Sequence, residues 1–286
     1  MDLSIAIVSW NTMGLLDECL RSIFETTSGI EFEVIVVDNA SSDGSAEMVK
    51  SKYSQVKLIE NVENVGFARA NNQAYAVSAG RHFLLLNPDT VVRGDTLKKL
   101  VGFLDNHDKA GAVGPLVLND DGSLQYSWAR FLTVWNEAVG RLDRRIKGLG
   151  RPPANADEAR SLEPFRVDWV GGCCLMIKRE AVQKIGLMDE SLFMYCEETD
   201  WCLRLHRAGW EVWVEPSAEI VHYGAKSSEQ RSQASRRQLI ASKGIYFRKH
   251  HRRLNSAILV MTLTGKRILR RIARLCASPR VDRDDS

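Results

Sequence analysis

Two rhythms of apolar and polar positions alternate along the first hundred residues. "LSIAIVSW" is an evenly apolar run too short for a helix and reads as a strand. "GLLDECLRSIFETT" follows with the spacing of an amphipathic helix, and "EFEVIVVDNAS" is a second strand with a polar end. The alternation continues through a helix in "DGSAEMVKSKY", a short strand at "VKLIE", a helix in "GFARANNQAYAVSAG" and the run Phe83 to Leu86 in "FLLLNPDTVV". Strands this evenly hydrophobic are covered on both faces, and strands alternating with helices predict an α/β fold: a mostly parallel twisted sheet, right-handed crossovers and flanking helices.

A helix over residues 95–106 comes next, with Asp95 as its nearer cap candidate. After "GAVGPLVLNDDGS" the rhythm fails. Residues 123–166 mix Trp128, Phe131 and Trp135 with "RLDRRIKGLGRPP" and an acidic stretch, and are expected to be a variable, partly mobile excursion. Regular structure resumes with a strand and helix in "VDWVGGCCLMIKREAVQKIG", the helix "ETDWCLRLHRAG" and two strands, "EVWVEP" and "AEIVHYG". Residues 1–230 are thus expected to form one domain. Residues 231–286 form a basic, helical C-terminal tail: Leu254, Ile258, Met261, Ile268, Ile272 and Leu275 recur at helical spacing, with Lys266, Arg267, Arg270, Arg271 and Arg274 around them. That pattern suits a helix lying in a membrane interface.

Charge sharpens this division. The net charge is +3, but residues 1–229 carry 24 Lys and Arg against 33 Asp and Glu, whereas residues 230–281 carry 14 against none. A basic tail on an acidic body points to phosphates, at a membrane surface or in nucleic acid. The acidic body with its ordered acids argues against a nucleic-acid binder, so no nucleic acid is expected as partner. No apolar run approaches the ~20 residues that span a bilayer. The six cysteines form no CxxC pair or zinc spacing, and no secretory signal is read ahead of the first strand, so a reducing cytoplasm is the expected compartment.

The chemistry-bearing residues gather where strands end. Pro88 stiffens the turn after Leu86 and presents Asp89, and "VVDNASSDGS" presents Asp38 in the same way. Asp89 is read either as a site acid or as a helix cap; two acids at one sheet edge are harder to attribute to capping. Open α/β sheets bind ligands at that edge, where one acid can meet a nucleobase or ribose and the other a divalent cation, Mg²⁺ or Mn²⁺. Asp43 is taken as a cap of the following helix. Asn64 and Gly66 precede a helix carrying Arg69, Asn71 and Asn72, and a glycine at such a start either lets a diphosphate approach or serves only the turn. Neither GxGxxG nor GxxxxGK[ST] occurs, which disfavours dinucleotide dehydrogenases and P-loop enzymes.

In "MYCEETDWCLRLHRAG", Glu197, Glu198 and Asp200 crowd into a helix start, where capping and the helix dipole account for one or two of them. Adjacent carboxylates also repel, which raises a pKa and makes one a candidate general base. His222 ends another strand, as a structural residue or as a partner of Asp89 on a cation. Gly171 and Gly172 in "WVGGCCLMI" mark either a bulge or a close approach of a ligand.

In order, "VSWN", "VVDNASSDGS", "NVGFARANN", "LLLNPDTVV", "WVGGCCLMI", "FMYCEETDWCLRL" and "HYGAKSS" resemble the glycosyltransferase family 2 pattern, and within it the rhamnosyltransferase-like bacterial members. The match runs from residue 3 to about 228. The resemblance implies a GT-A fold and an inverting, metal-assisted transfer from a nucleotide sugar, with dTDP-rhamnose first among donors and UDP-sugars behind. It places Ser9, Trp10, Asn11, Asp38, Asn64, Gly66, Arg69 and Asn87 on the donor, Asp89 on the metal and Glu198 in the base position, with Glu197 its rival. Trp169, Gly171, Gly172 and Asp200 fall to the acceptor or sugar pocket. The family's DxD stands here as Asn87-Pro88-Asp89, so the first metal carboxylate is absent and His222 is the candidate replacement. The acid pair is Glu-Glu rather than Glu-Asp. The resemblance also implies a glycan or polyprenyl-diphosphate-linked acceptor of the cell envelope, and with the basic tail a peripheral location on the inner face of the plasma membrane. A metal-dependent nucleotidyltransferase could use the same edge, but would not need the acid pair.

Overall fold

The computed structural model describes residues 1–133, 143–146, 149–224 and 233–251. Its elements in chain order are β1 (Leu3–Ser9), α1 (Met13–Thr26), β2 (Phe32–Asp38), α2 (Ser45–Lys52), β3 (Lys57–Glu60), α3 (Phe67–Ala76), β4 (His82–Leu86), β5 (Thr90–Val92), α4 (Thr96–Asn106) and β6 (Ala110–Leu118). There follow β7 (Leu124–Gln125), β8 (Trp128–Ala129), α5 (Ala156–Arg160), β9 (Phe165–Val167), β10 (Trp169–Val170), β11 (Cys174–Lys178), α6 (Arg179–Ile185), α7 (Glu197–Arg207), β12 (Glu211–His222) and α8 (Gln233–His250).

One sheet runs in the order β3-β2-β1-β4-β11-β6-β12-β5, with β7 on β6 and β9 on β12. The first four strands are parallel, as the alternation predicts. β11 enters antiparallel between β4 and β6, which no local pattern announces. Side chains alternate between faces along each strand: Ile5, Ile7, Val34, Val36, Leu84 and Leu86 pack toward α1 and α4, while Ala6, Ile35, Val37, Phe83 and Leu85 pack toward α3, α6 and α7. Burial on both faces explains the uniform hydrophobicity of these strands, and each fully buried large aliphatic contributes roughly 1.5–3 kcal/mol.

Two local expectations are corrected. "EVWVEP" and "AEIVHYG" form one strand, β12, whose register against β6 jumps between Glu215 and Glu219, so Pro216 sits in an irregularity and does not end the ladder. Asp95 occupies the N-cap position of α4 but makes no capping bond, because its Oδ1 is held 2.9 Å from Lys99 Nζ. In the 123–166 excursion, residues 134–142 and 147–148 lie outside the described residues. So does the predicted amphipathic pattern from Leu254 to Leu275.

The reversal of strand order between β1 and β4 opens a crevice at the carboxyl ends of the parallel strands. Ser9 is paired in register with Asp38, Ile7 with Leu86, Cys174 with Leu86, and Thr90 with His222. One edge therefore collects residues 9–11, 38–42, 87–90, 172–173 and 222.

Candidate active site

Asp38 is buried at the end of β2, and its Oδ2 accepts a hydrogen bond from Ser41 N at 2.9 Å. Its Oδ1 is equally buried and has no partner, so it is an acceptor in want of a donor. The loop after β1 bends toward it. Asn11 has φ 53°, its N–H donates to Ser41 Oγ at 2.9 Å, and its Oδ1 accepts from Ser42 N at 2.8 Å. Ser9 is buried with its Oγ 3.0 Å from Thr12 Oγ1, and Trp10 is 55% exposed at the mouth. Asp43 braces both loops, accepting from Met13 N at the start of α1 and Ser45 N at the start of α2.

The start of α3 is not open. Phe67 N donates to the carbonyl of Phe193 at 2.8 Å, and a Cβ on Gly66 (φ +84°) would lie 2.5 Å from the Phe193 ring and 2.6 Å from its carbonyl oxygen. The glycine thus admits Phe193 and serves the turn, one of the two roles open to it, and Asn64 Oδ1 accepts from Gly66 N to shape that turn. Arg69 is largely exposed, 3.9 Å from Glu190. Asn39, in the turn after Asp38, sends its Nδ2 toward the Gly66 carbonyl and accepts from Asn61.

Asp89 is buried beside His222, with Nε2 3.2 Å from Oδ1. Asn87 Nδ2 is 3.4 Å from the same Nε2. Gln125, also passed over because β7 lies in the irregular segment, settles the imidazole. Its Nε2 donates to Asn119 Oδ1 and to the His222 carbonyl, so its Oε1, 2.6 Å from His222 Nδ1, must accept. Nδ1 therefore carries a hydrogen, and Nε2 faces both the Asp89 carboxylate and the Asn87 amide. Carboxylate and imidazole fit a divalent ion, whose other positions oxygen ligands and water complete. Among the described residues no group of three His, Cys, Asp or Glu side chains is poised to hold a metal.

The acid pair stands at the same edge, at the start of α7. Two consecutive non-glycine residues in left-handed geometry, Tyr195 (φ 72°) and Cys196 (φ 70°), turn the chain into it. With Asn11 and Ala40 these are the positive-φ non-glycine residues of the described chain, and all four flank the crevice, as stored strain does at functional sites. Glu197 is buried, its Oε2 without a partner, and burial followed by the charge of Glu198 holds its pKa well above normal. Glu198 is half-buried, and desolvation pushes it up to about 7 against the hydrogen bonds its own and Thr199's N–H groups offer. Gly172 lies over both Phe67 and Glu198, and Cys173 O accepts from Asn87 N at 2.9 Å. The Cys173 thiol is pushed up to about 12, first by burial, then by the charge of Asp89, with Glu198 contributing too. Both acids therefore face one short segment. The arrangement offers a carboxylate titrating near neutrality beside a cation-ready pair and an unpaired buried acceptor.

The acceptor-pocket residues are less united. Trp169 packs against the core and donates its Nε1–H to Arg130 O at 3.0 Å, and Gly171 N donates to Ser127 O. Asp200 does not open to the crevice, which corrects its place in a substrate pocket. It is fully buried, Oδ2 accepts from Arg204 Nε at 2.8 Å, and Oδ1 lies 2.6 Å from His250 Nε2 and 2.8 Å from Lys249 Nζ. Its carboxyl is held far below the usual range because these donors outweigh desolvation.

Residues 4–186 match the family model described as "Glycosyl transferase family 2". The chain is 29% identical over 243 residues to an N-acetylglucosaminyl-diphospho-decaprenol L-rhamnosyltransferase of Mycobacterium tuberculosis, covering 79% of this chain and 77% of that one. It is 26% identical over 195 residues to a dTDP-rhamnosyl transferase, RfbF, of Shigella flexneri, covering 66% of this chain and 59% of the relative. The crystal structure of GalNAc-T7 with UDP, GalNAc and Mn²⁺ superposes with a TM-score of 0.60 at 18% identity over 78% of this chain, which spans 44% of that longer protein. That likeness shows the GT-A fold.

Proposed function

Because the chain belongs to glycosyl transferase family 2, we propose that it is an inverting transferase that moves rhamnose from dTDP-rhamnose to a hydroxyl of a polyprenyl-diphosphate-linked glycan. The observation that carries this reading is Glu198, a carboxylate raised to about 7 at the sheet edge that also holds Asp38 and Asp89. The printed names of the two rhamnosyl relatives support the donor, and the mycobacterial name supports the acceptor.

On this reading, the unpaired Asp38 Oδ1 takes the imide N–H of thymine, and the Asn11 and Ser41 turn fixes the base. Asp89 and His222 hold a divalent cation, which when bound neutralises charge on the leaving diphosphate. Burial and the charge of Glu198 hold Glu197 toward its neutral form, and Glu198 takes the proton of the acceptor hydroxyl as its oxygen attacks the anomeric carbon opposite the diphosphate. One displacement inverts the centre. No described helix is long and apolar enough to cross a membrane. A peripheral seat on the inner face of the plasma membrane is supported by the eight Lys and Arg of residues 252–281, which carry no acid and of which each one near an anionic surface adds about 1 kcal/mol. Residues 1–230 together with α8, which packs against them, are assigned to the catalytic body, and the basic residues beyond 251 to attachment.

The test is calorimetric titration with dTDP- and UDP-sugars, with Mn²⁺ and with EDTA, on wild type and Asp89→Ala. Metal-dependent binding of dTDP-rhamnose that Asp89→Ala loses is expected. Binding of another nucleotide sugar in its place reassigns the donor, and binding indifferent to both metal and Asp89 overturns the metal site.

A further inference from the structure

We infer that α8 is a brace for the acid pair and that His250 and Lys249 are positioning residues acting through Asp200. The inference rests on Glu198 being the base. Asp200 lies two residues beyond Glu198 on α7, is fully buried, and depends on α8 for both donors to its Oδ1. His250 is oriented for this: Arg207 Nη1 donates to its Nδ1 at 2.9 Å, so the ring hydrogen is on Nε2 and points at Asp200. Lys249 also reaches Asp189 at 2.6 Å, ahead of the loop that leads to the pair.

The same helix grips that loop. Ser242 Oγ donates to the Met194 carbonyl at 2.6 Å, and Tyr246 and Phe247 are buried against Leu192 and Cys196. The left-handed turn at Tyr195 and Cys196 therefore has α8 against it, and the first turn of α7 has α8 beneath it. Arg204, one turn beyond Asp200 on the same face of α7, binds Asp200 Oδ2 and the Ile185 and Leu187 carbonyls. Two strained residues and a buried carboxylate hold their places only where neighbours over-determine them, and α8 supplies most of that constraint.

The test uses the full chain. His250→Ala should raise amide deuterium exchange across residues 192–200 about tenfold or more. It should lower kcat for dTDP release from dTDP-rhamnose roughly 10²-fold with donor KM little changed, because a displaced base costs turnover and leaves donor binding intact. His250→Gln, whose amide still donates, should restore both. Ser242→Ala, which removes one hydrogen bond without opening the core, should loosen the same segment to a smaller degree. Exchange over 192–200 in His250→Ala matching wild type overturns the brace, as does loosening spread over the whole chain or left unrescued by His250→Gln. Glu198→Gln separates this from the reading beneath it: if that variant keeps wild-type turnover, the base assignment falls and the exchange data alone decide the brace.

Discussion

Glu198→Gln should do two opposite things at once. Raising a carboxyl from 4.5 to about 7 corresponds to roughly 3 kcal/mol against the ionised form. The side chain is only half-buried, so solvent screening reduces this to about 1–2 kcal/mol. The sign follows from linkage: the folded state holds the proton more tightly, so the destabilisation is absent below 4.5, grows as pH rises and is complete above about 7. The neutral amide escapes it. For a chain of this size the variant should melt about 2–5 °C higher than wild type at pH 8 and within about 1 °C at pH 4.5. Turnover should fall ~10²- to 10⁴-fold, the usual worth of a general base, while donor binding survives. Calorimetry at the two pH values and a coupled dTDP-release assay read both effects. A lower melting temperature at pH 8 would refute the desolvation argument, and undiminished turnover would refute the role.

Glu197→Gln should retain most activity in the same assay, because burial and the charge of Glu198 already hold Glu197 toward its neutral form. The wild-type kcat/KM profile should rise with pH through about 7 as Glu198 ionises, and a flat profile would exclude it as base. Gly66→Ala should cost about 3 kcal/mol or more in urea unfolding, since φ +84° is strained for alanine and its Cβ meets the Phe193 carbonyl; a loss below 1 kcal/mol would show that the loop yields freely. Asp38→Ala should abolish calorimetric binding of dTDP with little change in melting temperature, and unchanged binding would remove Asp38 from the donor site.

The parallel half of the sheet and its two edge acids were legible because they rest on local signals: even hydrophobicity over five to seven residues, then an abrupt polar end at Asp38 or Asp89. What escaped was set by distant partners. Asp200 looks like a third site acid until His250, fifty residues on, is found against it. Gly66 could serve a phosphate or only its turn until Phe193 is found in its space. Gln125 holds the hydrogen of His222 Nδ1 from a two-residue strand with no periodicity to announce it. The turn at Tyr195 and Cys196 adopts glycine-like geometry without glycine, so no composition rule marks it.

The bond from Phe67 N to the Phe193 carbonyl joins α3 to the segment that carries the acid pair. If the proposed donor shifts α3 by a fraction of an ångström, that segment moves with it, and donor and acceptor then share a coupling free energy. Such coupling is reciprocal: whatever factor the donor contributes to acceptor affinity, the acceptor returns to the donor. Initial-rate patterns for this protein should therefore intersect away from the axis, and the degree of intersection measures how stiff that single contact is.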